Sequence, residues 1–95
     1  MAGYVIVNNE ITDESAFAEF RDRIAETIEA HGGRYLVRGG ATEVVEGDWM
    51  PGRVVVVEFD SVDQARACLN SPEYADLKAI RLKAASASVV IVEGV

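Results

Sequence analysis

RYLVRGGATEVVEGDWMPGRVVVVEF, residues 34–59, is the stretch that decides the fold. Two segments in it, Arg34–Val37 and Arg53–Phe59, are rich in the β-branched and aromatic residues that favour strands. The intervening Gly47–Gly52 has the Gly and Pro content of a hairpin loop. The stretch therefore predicts two antiparallel strands joined by a loop.

The first of these strands is interrupted by Gly39 and Gly40. Residues without a Cβ allow a bulge or the close approach of another group to the backbone. We predict that the strand resumes over Thr42–Glu46. Folding about the loop then sets two cross-strand neighbours: Glu46 opposite Arg53, and Ala41 near Glu58.

A strand and a helix are predicted before this stretch. Tyr4–Val7 is β-branched and aromatic and precedes a pair of asparagines, which favours a strand. Thr12 or Asp13 offers an N-cap, and the helix runs from about Asp13 to Ala30, where two glycines end it. Its apolar residues recur at spacings of three and four: Phe17, Phe20, Ile24 and Ile28.

A second helix and a last strand follow the hairpin. Ser61 and Gln64 match a capping box at the start of this helix. Ser71 and Pro72 break and restart it, because Ser is a good N-cap and Pro suits the first helical position. The helix then continues to about Ala85, and Ser88–Glu93 forms the final strand.

The element order β-α-β-β-α-β within one domain, residues 1–95, predicts an α+β fold of the ferredoxin-like type. Right-handed crossovers give a four-stranded antiparallel sheet in the order 4-1-3-2, with both helices on one face. The other face of such a sheet is normally polar. Three strand segments are instead apolar at every position: Tyr4–Val7, Val54–Val57 and Val89–Val92. We therefore predict a homodimer packed sheet against sheet.

Composition narrows the classes of partner. The 16 acidic residues outnumber the 9 Lys and Arg, and a formal net charge of −7 repels nucleic acid and anionic membranes. Cys68 and His31 are the only residues of their types, so neither an internal disulfide nor a metal site is predicted. The sequence shows no secretory signal and no apolar stretch long enough to span a bilayer, and we expect a cytoplasmic protein.

Residues with specific spacing run through nearly the whole chain: Gly32–Gly40, Glu46-Gly47, Arg53, Val56–Phe59, Ser71–Tyr74, Arg81 and Val92–Gly94. Together they resemble a bacterial family known as domain of unknown function 1330. The resemblance implies a ferredoxin-like protomer of the dimeric α+β barrel group, whose sheets pair across a dimer. That group includes cofactor-free monooxygenases, isomerases of small lactones and haem-dependent enzymes. The family itself has no assigned activity, and the resemblance gives no residue an established role.

Charges set into apolar segments are the candidates for a ligand site. Arg38 and Glu58 stand on neighbouring strands, where one explanation is a partly buried ion pair that fixes the register of the hairpin. The alternative is a site in which the planar guanidinium binds the carboxylate or enolate of a small ligand. Gly39 and Gly40 would then let the ligand reach backbone N–H groups.

Tyr74 and Arg81 are seven residues apart and lie on one side of the second helix. If that side faces a pocket, Tyr74 donates a proton or a hydrogen bond and Arg81 holds an anion. In the structural alternative Tyr74 belongs to the core and Arg81 pairs with a carboxylate such as Glu58 or Glu73. Both alternatives remain open from the sequence.

Structural explanations are also available for the other residues that stand out in the sequence. His31 is the simplest conventional general base, so it joins Tyr74 as a catalytic candidate, but it also suits the C-terminal end of a helix. Cys68 is predicted to be a small buried residue. Glu46 and Arg53 are a hairpin pair. Trp49–Pro51 is an apolar loop tip that contacts a partner subunit or acts as a lid.

Two functions are therefore open. The first is a small-molecule-binding protein or cofactor-independent enzyme acting on a compact anionic or carbonyl-bearing metabolite. The second is a non-catalytic dimeric binding or regulatory module, in which the same charged residues are structural. We predict no cofactor. Neither a phosphate loop nor the Gly-x-Ser-x-Gly motif of a nucleophilic serine is present.

Overall fold

Four strands, β1 Gly3–Ile11, β2 Arg34–Arg38, β3 Arg53–Phe59 and β4 Ala85–Glu93, form one antiparallel sheet with the order β2-β3-β1-β4. The structure, a computed structural model, describes residues 1–95. This order confirms the predicted α+β, ferredoxin-like fold. In chain order the elements are β1 Gly3–Ile11, α1 Glu14–Ala30, β2 Arg34–Arg38, β3 Arg53–Phe59, α2 Val62–Leu69, α3 Pro72–Ala84 and β4 Ala85–Glu93.

Side-chain caps set the starts of the three helices. Asp13 caps α1 by accepting a hydrogen bond from the backbone N–H of Ala16 at 3.0 Å. Ser61 and Ser71 cap α2 and α3 in the same way, so the predicted break of the second helix is confirmed. It divides the second helical region into two helices, and the molecule therefore has three.

The helices cover one face of the sheet. Strand residues on that face, such as Val5 and Val57, are buried together with the apolar residues of α1 and the inner residues of α2 and α3. The predicted stripe on α1 is buried in full. None of the three helices could span a lipid bilayer. The opposite face retains exposed apolar side chains, among them Ile6, Val37, Val90 and Val92.

Two strands are longer than predicted. β1 continues past Val7 to Ile11, and β4 begins at Ala85, three residues before the predicted start. The two extensions pair with each other, from Asn8 opposite Ser88 to Ile11 opposite Ala85. Pairing along a neighbouring strand has thus overridden the low strand propensity of these polar residues.

The predicted resumption of the second strand over Thr42–Glu46 is wrong. β2 ends at Arg38, and residues 39–52 form a loop without regular structure. The chain turns out of the sheet at Gly39, where φ is +71° and the backbone N–H donates to the carbonyl of Val54 at 2.8 Å. Neither predicted cross-strand neighbour forms: β3 pairs Arg53 with Asn9, and Glu58 with Tyr4 and Arg34.

Candidate functional site

A small cavity of about 50 Å³ lies between the helices and the sheet. Most of its lining residues are apolar. Arginine supplies four of the polar ones, and no Asp or Glu side chain lines the cavity, although the whole chain carries a net charge of −7. The cavity is therefore a locally positive site. The polar lining residues are Asn9, Arg21, Tyr35, Arg38, Arg53, Tyr74 and Arg81.

Arg81 is the most deeply buried of the four arginines, with 4% of its surface exposed. Its Nη1 donates a hydrogen bond to the Tyr74 hydroxyl at 2.8 Å, while its Nε is buried without a partner. The guanidinium also lies over the ring of Phe20, 5.6 Å from the centroid. The predicted structural alternative, an ion pair with Glu58 or Glu73, does not form, and Arg81 is a buried cation that lacks a protein carboxylate.

A β-bulge directs Arg38 toward this cavity. The register of β2 against β3 shifts between Tyr35 and Val37, which puts Arg38 opposite Val55 on the helix side of the sheet. Arg38 stacks on the ring of Tyr35 at 4.6 Å and donates from Nη2 to the carbonyl of Arg21 at 2.8 Å. The ion pair considered for Arg38 and Glu58 is absent, because Arg38 lies on the helix side of the sheet whereas Glu58 lies on the helix-free face and pairs with Arg34.

Arg53 is held at the mouth of the cavity by the turn at Gly39. Its guanidinium lies 5.9 Å from the centroid of the Phe17 ring, and it occupies the space that a Cβ on residue 39 would need. Desolvation by burial, and then repulsion from Arg38 and Arg21, lower the pKa of Arg53 below its ordinary value. The cation would therefore be stabilised by a nearby negative charge.

Alanine substitutions at the two adjacent glycines, Gly39 and Gly40, are expected to affect stability differently. Gly39→Ala combines a positive φ with a collision against Arg53, so we expect it to reduce the free energy of unfolding by about 1–2 kcal/mol and to displace Arg53. Gly40→Ala meets no atom within 4 Å and is expected to be neutral or slightly stabilising. Urea denaturation measures both, and equal effects would contradict this role of Gly39.

Asn9 is a cavity residue that the sequence did not identify. It is 2% exposed, and its Oδ1 has no hydrogen-bonding partner. The predicted first strand ends at Val7, before Asn9, because Asn is rare in strands. The spacing along the strand could have identified it. Val5, Val7 and Asn9 are every second residue of β1, so all three face the helices.

An open cleft lies directly outside the cavity. Asn9, Phe17, Arg21 and Arg53 line both spaces, and the cleft adds Glu10, Ile11, Glu14, Gly39 and Gly52. Arg21 and Arg53 are half-buried, whereas Arg81 is fully buried. The cleft therefore carries two arginines and two glutamates, and it leads to the buried Arg81.

Three of the predicted site residues lie elsewhere. Glu58 is on the helix-free face, where it accepts hydrogen bonds from Arg34 Nε at 2.7 Å and the Tyr4 hydroxyl at 3.0 Å. That hydrogen bond raises the pKa of Tyr4 above its ordinary value. Gly40 lines neither space. His31 is outside the cavity as well, and its Nδ1–H donates to the carbonyl of Thr27 at 2.9 Å, as a helix-capping residue does.

Cys68 is fully buried, as expected from the sequence. Burial raises the pKa of its thiol from 9.0 to about 11. The unfolded chain therefore ionises at lower pH than the native one, and we expect about 2–3 kcal/mol of stability to be lost as the pH rises from about 9 to 11. Urea denaturation across this range measures the loss. A Cys68→Ala variant should lose less stability over the same range, and identical pH profiles would contradict the prediction.

The loop tip remains without a partner in the single chain. Trp49 is 60% exposed, and Met50 and Val45 beside it are more exposed still.

No group of three or more His, Cys, Asp or Glu side chains is placed to hold a metal ion. The site thus consists of guanidinium, phenol and amide groups around an apolar space.

Solved structures of low sequence identity share this fold. RPA0582, a protein of unknown function from Rhodopseudomonas palustris, aligns with a TM-score of 0.80 and 15% identity over 99% of this chain and 82% of that one. A dimeric ferredoxin-like protein of unknown function from Jannaschia sp. CCS1 aligns with a TM-score of 0.68 and 14% identity over 99% of this chain and 100% of that one. SnoaB, a cofactor-independent oxygenase from Streptomyces nogalater, aligns with a TM-score of 0.64 and 13% identity over 99% of this chain and 91% of that one.

At these identities the structural likeness shows the fold alone. No curated protein matches the sequence. A family described as domain of unknown function (DUF1330) does match, over residues 2–95, and so over nearly the whole chain. This agrees with the resemblance seen in the sequence, and the chain belongs to that family.

Proposed function

We propose that this protein binds a small anionic metabolite, with an acidic group held by Arg81 and an apolar body enclosed by the cavity. One observation carries the proposal: four arginines and no carboxylate line a small, mostly apolar space. A buried cation is normally paired, since leaving it unpaired is costly. A ligand carboxylate would supply the missing partner.

The arrangement of the arginines also supports entry of an anion. Arg21, Arg38 and Arg53 bring positive charge to the cavity itself, in a protein whose overall charge is negative, whereas the two carboxylates nearby, Glu10 and Glu14, line only the outer cleft. Local potential of this kind concentrates small anions at a cleft. Arg81 then binds the acidic group away from water, where a charge-assisted hydrogen bond is strong.

The same geometry supports a cofactor-independent reaction through an enolate. Two groups, the Arg81 guanidinium and the Tyr74 hydroxyl, would stabilise negative charge that develops on a ligand carbonyl. The cofactor-independent oxygenase SnoaB has the same fold, although fold alone transfers no activity. The second candidate, a binding module without catalysis, is favoured by the absence of any His, Asp, Glu or Lys among the cavity residues.

Matched acids and amides test the binding proposal. We expect carboxylates of small apolar compounds to raise the melting temperature, and their primary amides to leave it unchanged. Arg53→Gln should weaken carboxylate binding by roughly tenfold, since it removes a cation at the entrance. Arg66→Gln is the control, because Arg66 pairs with Asp63 at the surface, away from the cavity. Equal binding of acids and amides would refute the proposal.

We also propose that the protein is a homodimer whose helix-free sheet faces pack together. An exposed apolar face, with Ile6, Val90 and Val92 open to solvent in the single chain, supports it. So does the description of the Jannaschia protein as dimeric. Sedimentation should give twice the chain mass of 10.3 kDa, with blue-shifted Trp49 emission if the loop tip contacts the partner. A monomer at micromolar concentration would contradict it.

A further inference from the structure

Two polar atoms are buried without a hydrogen-bonding partner, and both belong to cavity residues. They are Asn9 Oδ1 and Arg81 Nε. Buried polar side-chain atoms are nearly always hydrogen-bonded, because an unmade bond leaves the cost of desolvation uncompensated. Because both residues line one cavity, a bound molecule with a suitable acceptor and donor would satisfy both atoms.

The two atoms have opposite hydrogen-bonding character. Arg81 Nε carries a proton and needs an acceptor, which a carboxylate provides. Asn9 Oδ1 needs a donor, and an ionised carboxylate has none. A hydroxyl group both donates and accepts, so it satisfies the Asn9 amide in either orientation. The remaining lining residues are mainly apolar and match a carbon skeleton without further charge.

On the basis of the proposed anion-binding function, we propose that the ligand is a compact hydroxy acid. Its carboxylate binds Arg81, its hydroxyl donates to Asn9, and its skeleton packs against apolar residues such as Val5, Val7 and Leu69. The cavity volume of about 50 Å³ restricts this skeleton to a small one. Asn9 is then the residue that distinguishes a hydroxy acid from the corresponding deoxy acid.

Calorimetric titration with matched pairs of acids tests this assignment. Suitable pairs are glycolate with acetate, 2-hydroxypropanoate with propanoate, and 3-hydroxypropanoate with propanoate, which are small enough for the cavity. We expect the hydroxy acid of at least one pair to bind about tenfold more tightly or better, because the deoxy acid leaves Asn9 unpaired. In Asn9→Leu, which keeps the side-chain size, the ratio should fall to about one.

A second measurement needs no variant. The side-chain amide signals of Asn9 in a 15N-correlated NMR spectrum should shift on addition of the preferred hydroxy acid, and much less on addition of its deoxy partner. Equal affinities within every pair would overturn the hydroxy-acid assignment and leave anion binding intact. Failure of every acid to bind would overturn both proposals. A preference that persists in Asn9→Leu would overturn the role of Asn9.

Discussion

Replacing Arg81 with Met is expected to leave the free energy of unfolding unchanged or to raise it by about 1–3 kcal/mol, while removing the binding of carboxylates. The side chain is buried, has no carboxylate partner and leaves its Nε unpaired. The hydrogen bond to the Tyr74 hydroxyl and the attraction of the guanidinium to the Phe20 and Tyr74 rings offset only part of the cost of its desolvation. Met fills a similar volume without a charge.

Binding should respond in the opposite direction. Loss of the charge-assisted bonds between Arg81 and a ligand carboxylate is expected to weaken affinity by about a hundredfold or more. Urea denaturation and calorimetric titration of the same preparation measure both quantities. Arg66→Met serves as the control, because it removes an exposed arginine and should change neither property by much. A loss of stability above about 2 kcal/mol in Arg81→Met would identify Arg81 as a structural residue instead.

The sequence alone left open whether Arg81 binds a ligand or pairs with a carboxylate of the protein. Its spacing from Tyr74 placed both residues on one side of a helix, and the structure brings them together at 2.8 Å. The sequence could not show whether a carboxylate is within reach, because that depends on which face of β3 presents Glu58. In the structure Val57 is buried against the helices, so Glu58 points to the helix-free face, away from Arg81.

Local signals predicted most of the fold. Caps at Asp13, Ser61 and Ser71 predicted the helix starts, and the stripe along α1 predicted its buried face. The errors lie where tertiary contacts override local preference. Asn9 is in a strand because β4 pairs with it. The bulge in β2 turns Arg38 inward, and no local pattern in residues 34–38 signals that shift of register.

Replacing Ile6 with Lys is expected to dissociate the proposed dimer while preserving the fold of the subunit. Ile6 lies on the central strand β1, opposite Val56 and Val90, and is 36% exposed on the helix-free face. Two-fold symmetry would place both introduced lysines within one interface. Burying two unpaired ammonium groups should weaken association by about a thousandfold or more.

Sedimentation and the emission of Trp49 report this change independently. Ile6→Lys should sediment as a monomer with an unchanged far-ultraviolet circular dichroism spectrum, and Trp49 emission should shift to the red. Leu82→Lys is the matched control, because Leu82 is 62% exposed on α3, away from the sheet face. A dimer that survives Ile6→Lys would show that the sheet face is not the interface. Dissociation by both lysines would show that added charge alone separates the subunits.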